Sequence, residues 1–138
     1  MIKPVSEKMG VKPGSRVLFV NAPADAIQVM DMPEVELATD LNGNFDSIHF
    51  FAISQNDLHE KFLTLKSHLK PTGTLWLAWP KAGQNESDLT LQKVIEIGYN
   101  YGLVESKTLS INPTWSAIKF THPREGKDYQ NSYGKLNR

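Results

Sequence analysis

The chain has 138 residues, 15 basic and 15 acidic side chains, no cysteine and 40% hydrophobic residues. That length suits one domain with one core, and the missing cysteines exclude disulfides, thiolate metal sites and a thiol nucleophile. Zero net charge speaks against a general nucleic-acid binder. No apolar run approaches the roughly 18 residues of a membrane span and the first residues carry no signal-peptide core, so a cytoplasmic domain without nucleic-acid or membrane partners is expected.

Residues 2–10 read as a short amphipathic lead-in. Lys12-Pro13-Gly14-Ser15 then introduces Arg16-Val17-Leu18-Phe19-Val20, a nearly continuous apolar run of the kind buried on both faces of a sheet. After Asn21-Ala22-Pro23, residues Ala24 to Met30 suit two helical turns, with Pro23 near their start. Glu34 to Ala38 reads as a short strand and Leu41-Asn42-Gly43-Asn44 as a turn. A second apolar strand runs Ser47 to Ile53. A helix follows over 57–69, with Leu58, Phe62, Leu65 and Leu69 at helical spacing and Asn56 or Asp57 as cap. Pro71-Thr72-Gly73 is expected to stop it, and Thr74 to Trp79 is a third buried strand.

A polar loop, Pro80 to Asp88, leads to a helix from about Leu89 to Tyr101, with Gly102 where a left-handed terminator belongs. Leu103–Ile111 and Trp115–Phe120 then form a strand pair joined by Asn112-Pro113-Thr114, a link too short for a crossover, so these two strands must be antiparallel. Residues 1–121 make a single domain, and the polar stretch 122–138 is expected to be a mobile tail. Strands alternating with helices predict an α/β fold: a three-layer, doubly wound, mostly parallel sheet, closed at its C-terminal end by an antiparallel strand.

The charges are unevenly spread. From Val17 to Glu60 there is no Lys or Arg but eight acids, whereas basic residues outnumber acids from Lys61 onward. This reads either as an acidic face that repels polyanions or as a solvated surface whose basic partners arrive from the other half.

Several segments together resemble the class I methyltransferase superfamily. Lys12-Pro13-Gly14-Ser15-Arg16-Val17-Leu18 is similar to the approach to that fold's first strand, and Phe45-Asp46-Ser47-Ile48 to its fourth. Leu69-Lys70-Pro71-Thr72-Gly73-Thr74-Leu75 resembles the turn into its fifth, and Tyr101-Gly102-Leu103-Val104 the step into its sixth. Val20-Asn21-Ala22-Pro23, Ala78-Trp79-Pro80-Lys81 and Thr114-Trp115-Ser116 resemble, more narrowly, a small bacterial family of methyltransferase-like domains without an established function. The resemblance spans residues 10–121 and implies a truncated Rossmann-like sheet.

Active members of that superfamily follow strand one with an acidic residue and a Gly-x-Gly loop whose bare backbone admits S-adenosylmethionine. Here no glycine occurs between Gly14 and Gly43, and Pro23 removes a backbone donor. The stretch from Asn21 to Phe45 has room for one helix and one strand, where the full fold places two of each. No cofactor is expected on this reading.

Ligands of open α/β sheets bind beyond the carboxyl ends of the parallel strands. That topology nominates Asn21, Asp40, Ser54, Trp79, Lys81, Asn112, Thr114 and Trp115 as ligand-binding candidates, with Gln55 beside them. Asp40 falls where the resemblance implies an acid facing a ribose. Lys81 reads as an anion ligand, a base if burial lowers its pKa, or a solvated loop lysine. Trp79 and Trp115 read as an aromatic wall or as caps on the core. His59 and His68 lie nine positions apart on one helix, on opposite faces, so they cannot share a metal; His49 reads as a core histidine. No metal is expected, no Gly-x-Ser-x-Gly elbow is present, and no catalytic residue is nominated.

Three functions are compatible with these residues. The first is a non-catalytic methyltransferase-like domain that binds a small ligand or protein partner at the carboxyl edge of the sheet. The second is an active S-adenosylmethionine-dependent methyltransferase with an atypical loop. The third is a structural or oligomerisation domain, including self-association into a homo-oligomer.

Overall fold

A computed structural model describes residues 3–129 and 133–136. Its six-stranded sheet has the order β2-β1-β3-β4-β6-β5. The strands are β1 (Arg16–Val20), β2 (Glu36–Leu37), β3 (Phe45–Phe51), β4 (Leu69–Pro80), β5 (Val104–Ser110) and β6 (Trp115–Thr121). β2, β1, β3 and β4 pair in parallel, while β6 runs antiparallel between β4 and β5. Between β1 and β3 there is one helix and one strand, as the short spacing of that segment requires.

Helices cover both faces. α3 (Gln55–Ser67) and α4 (Leu91–Asn100) lie on one, and α1 (Val5–Lys8) and α2 (Ala24–Met30) on the other. The α3/α4 side holds the larger core, in which Leu18, Ile48, Phe50, Leu75, Leu77, Ile118 and Phe120 meet Leu58, Phe62, Val94 and Ile97. Val17, Trp76, Ala78, Ala117 and Trp115 face the opposite way, toward Met9, Ala26 and Met30. The Trp76 indole N–H donates to the Met9 carbonyl at 3.1 Å, which fixes the N-terminal lead-in against the sheet.

Several boundaries differ from the sequence reading: β3 runs Phe45–Phe51 where Ser47–Ile53 is expected, and α4 starts at Leu91 where Leu89 is expected. The cap of α3 is Ser54, not Asn56 or Asp57. Its hydroxyl accepts the Asp57 amide while the Asp57 carboxylate accepts the Ser54 amide, a reciprocal box that starts the helix two residues earlier. α3 ends at Ser67, and Pro71-Thr72-Gly73 belongs to β4. There the pairing slips between Phe45 and Ser47, and a Cβ on Gly73 would sit 2.9 Å from the Phe45 carbonyl oxygen. The strand expected over Glu34–Ala38 shortens to Glu36–Leu37. After α4, Gly102 adopts φ +87°, the left-handed stop the sequence predicts.

Of the C-terminal segment, residues 130–132 and 137–138 lie outside the described residues, as do Met1 and Ile2. Tyr129 and Leu136 pack against the larger core.

Candidate functional site

The rim formed by the carboxyl ends of the parallel strands splits into two groups of candidates with the end of β3 between them. At the β1–β2 side, Asn21 terminates β1 in the left-handed region at φ +57°. Beside it, Asn21, Thr39, Asp40 and Leu41 line a cleft of about 400 Å³ whose floor includes Leu18 and Val20. α3 supplies the opposite wall through Glu60, Lys61 and Thr64. The cleft thus lies along the α3 face of β1, the face that an additional strand and crossover helix would narrow.

At the β3 end, Ser54 is spent on capping α3. Gln55 clasps Asp88: its amide donates to the Asp88 carboxylate at 2.8 Å and its side-chain amide to the Asp88 carbonyl at 3.0 Å. Both side chains therefore have a local structural use.

The second group clusters around the β5–β6 turn. The Asn112 side-chain oxygen accepts the amides of Thr114 and Trp115 at 2.9 and 2.8 Å, and so shapes the turn. The Thr114 carbonyl accepts the Lys81 amide at 2.8 Å, which pins the chain leaving β4 to that turn. The Lys81 ammonium donates to the Ser110 hydroxyl. Trp79 and Trp115 do not form one wall. Pro80 is the cross-strand partner of Trp115, so alternation places Trp79 on the α3/α4 face and Trp115 on the α1/α2 face, each only 6% exposed. Both tryptophans therefore serve the core.

The site residues that sequence reasoning did not single out are Thr39, Lys61 and Thr64, and Ser110 and Ser116 at the other end. Lys61 and Thr64 sit three positions apart beside the buried Phe62 and Leu65, and that spacing already places them along one side of α3. The two serines carry no local signal; only strand register joins them.

The β1–α2 turn determines how far the rim suits S-adenosylmethionine. Ala22 packs against the smaller core, and Pro23 is the extended residue preceding α2, at φ −66°. Three successive side chains therefore occupy a turn that a close-lying methionine moiety would need bare. Asp40, by contrast, lines the cleft at the end of β2, where a carboxylate can accept ribose hydroxyls. The residues fit the nucleoside end of that cofactor and do not fit its amino-acid end.

Solved structures similar to this chain include several methyltransferases. The chain is similar to the precorrin-6y C5,15-methyltransferase of Geobacter metallireducens at TM-score 0.58 and 12% identity, covering 86% of each chain. Against the magnesium protoporphyrin IX methyltransferase of Synechocystis, solved with bound S-adenosylmethionine, the TM-score is 0.58 at 12% identity, with 86% of this chain and 74% of that one covered. Ribosomal protein L11 methylase of Lactobacillus delbrueckii gives 0.56 at 14% identity, with 87% and 75% covered. At such identities the likeness establishes the class I methyltransferase fold and nothing finer. Among curated proteins none matches. The family profile described as "Protein of unknown function (DUF3052)" matches residues 24–124, from α2 through β6, and the chain belongs to that family.

Proposed function

We propose that this chain is a non-catalytic methyltransferase-like domain that binds a small, nucleoside-like ligand in the cleft between the ends of β1 and β2 and the side of α3. The observation that carries this reading is the contrast within one cleft: Asp40 is retained at the end of β2, while the turn after β1 is filled by Asn21, Ala22 and Pro23. A volume of about 400 Å³ falls within the usual range for small-molecule sites. Asp40 provides an acceptor for vicinal hydroxyls, and Thr39, Thr64 and Lys61 add donors around it. Nothing in the cleft supplies a backbone cradle for the amino-acid end of a larger cofactor.

The test is a set of thermal melts and titrations with adenosine, S-adenosylhomocysteine and S-adenosylmethionine. At about 100 times its Kd, a ligand adds about 2.7 kcal/mol, a rise of several degrees in Tm for a domain of this size. Adenosine is expected to raise Tm, Asp40→Ala to abolish the rise, and S-adenosylmethionine to bind no more tightly than adenosine. Binding of S-adenosylmethionine about tenfold tighter than adenosine, with methyl transfer to any acceptor, would replace this reading with that of an active enzyme with an atypical loop. No response to any of the three would move the role to a protein partner.

A further inference from the structure

Strand register builds a second polar depression at the other end of the rim. Trp79 on β4 pairs with Ser116 on β6, and Ser116 pairs with Ser110 on β5, so these three residues form one row across the sheet on the α3/α4 face. Thr108 lies one pleat further along β5, and Leu91, the first residue of α4, closes the side. Together with Lys81 they line a cavity of about 440 Å³. Lys81 is the only charged residue lining it among the described residues.

The lysine is held in place by the backbone. Its amide is bound to the Thr114 carbonyl, and Gln84 donates from its side chain to the Pro113 carbonyl at 3.3 Å, so the segment after β4 is fastened to the β5–β6 turn at two points. Three residues of that segment, Ala82, Asn85 and Glu86, adopt positive φ without being glycine. Such backbone is costly, and proteins concentrate it where a group must be presented in a fixed place. The ammonium has three N–H donors, of which Ser110 takes one, leaving two. The Ser110 hydroxyl in turn donates to the Asn112 carbonyl at 3.2 Å, so the hydroxyls of Thr108 and Ser116 are the remaining donors of the row.

The geometry points to a second ligand site here, for a small anion attached to an apolar body. Lys81 and the hydroxyls of Ser116 and Thr108 hold the anionic head, while the edge of Trp79 and Leu91, itself 40% exposed, receive the body. The phosphoryl or carboxylate head meets one cation and no opposing acid. This site is separate from the Asp40 cleft, from which β3 divides it, and does not depend on what that cleft binds.

Amide-resolved NMR titration with phenyl phosphate tests it, with phenol and inorganic phosphate as controls. Phenyl phosphate is expected to shift the Ser110 and Ser116 amides and the Trp79 indole saturably. Lys81→Gln should weaken that binding about tenfold, the size of one charge-assisted hydrogen bond lost. Lys81→Arg should restore most of it, and phenol should give no saturable response. Ser116→Ala, a change too small to disturb the fold, should weaken binding to a lesser degree. Unchanged affinity in Lys81→Gln, shifts scattered over lysines elsewhere, or no saturation would overturn the site. Inorganic phosphate binding as tightly as phenyl phosphate would overturn the apolar half of the assignment.

Discussion

At the β5 edge the chain lays down a seven-residue strand, pairs it along β6, and fills the space beneath α4 so closely that a Cβ on Gly98 would fall 2.2 Å from the Phe120 ring. At the β2 edge only Glu36 and Leu37 pair with β1, and Leu37 is 56% exposed. Beneath the first edge the core is complete through β6 and α4, although most of β5 itself is exposed; the second stops short, with one helix and one strand where the full fold has two of each. The cleft containing Asp40 opens beside the unfinished edge. A shortened fold has thus kept its interior in one half and gained open surface in the other. Stability and ligand access are therefore expected to separate along the strand order.

The largest effect should come from attacking the finished half. Phe120 is fully buried and meets the Phe62 ring edge-on, with centroids 6.0 Å apart. Phe120→Ala should cost about 3–5 kcal/mol in urea unfolding, because the hole it leaves is bounded by α3 and α4 and cannot collapse freely. Leu37→Ala at the opposite edge should change stability by no more than about 0.5 kcal/mol. Comparable losses for the two would mean that the edges are not as unequal as their burial suggests.

A second contrast lies between the faces of β3. Phe50 on the α3/α4 side is surrounded by hydrocarbon, whereas His49 on the other side is equally buried but polar. Its Nε2 meets the Ser47 hydroxyl at 2.6 Å, its Nδ1 has no partner among the described residues, and the Phe19 ring lies 5.2 Å away. Burial lowers its pKa from 6.5 to about 3. The unfolded chain therefore takes up a proton as pH falls through 6.5, while the folded protein refuses it until near pH 3. Stability is full above pH 6.5 and declines below it by about 1.4 kcal/mol per pH unit. Between pH 6.5 and 5 the loss should reach about 2 kcal/mol in denaturant melts, and His49→Gln should remove most of that slope. Asp46 adds to acid lability only lower, in the carboxylate range. The Arg16 amide, followed by Lys70, holds its pKa below the usual value, so its contribution is lost as pH falls through that range.

Much of this contrast is written locally in the chain. The apolar run of β1, the turns of α2 over Ala24–Met30 and the shortness of the stretch from Asn21 to Phe45 are each readable without tertiary information, because periodicity and length alone determine them. Asn21 and Asp40 share a cleft because topology puts strand ends on one rim. What the sequence leaves open is decided by register: it offers Trp79 and Trp115 as an aromatic wall or as caps on the core, and strand pairing makes them caps. Trp79 and Trp115 are near in space yet face opposite ways, since the partner of Trp115 is Pro80, and a shift of one residue would have put both tryptophans on one side. The Ser110–Ser116 row is invisible for the same reason. The side of α3 that carries Lys61 and Thr64 is legible from the spacing of Phe62 and Leu65; that it faces the end of β1 across a cleft is a tertiary matter.

Ser54 supplies a small predicted effect and the sharpest test of where the rim divides. It stands at the end of β3, between the two depressions, and rim topology alone would make it a ligand residue. Its hydroxyl instead accepts the Asp57 amide at 3.1 Å, and Asp57 returns the bond to the amides of Ser54 and Ile53 at 3.2 and 3.1 Å. Ser54→Ala removes one acceptor from the first turn of a 13-residue helix, so it should cost about 1 kcal/mol and lower Tm by a few degrees. Adenosine and phenyl phosphate should bind the variant as they bind the native chain, since a cap acts on the helix and not on the rim. Loss of either ligand with Tm unchanged would make Ser54 a shared wall of one continuous site, and the division of the rim at β3 would have to be abandoned.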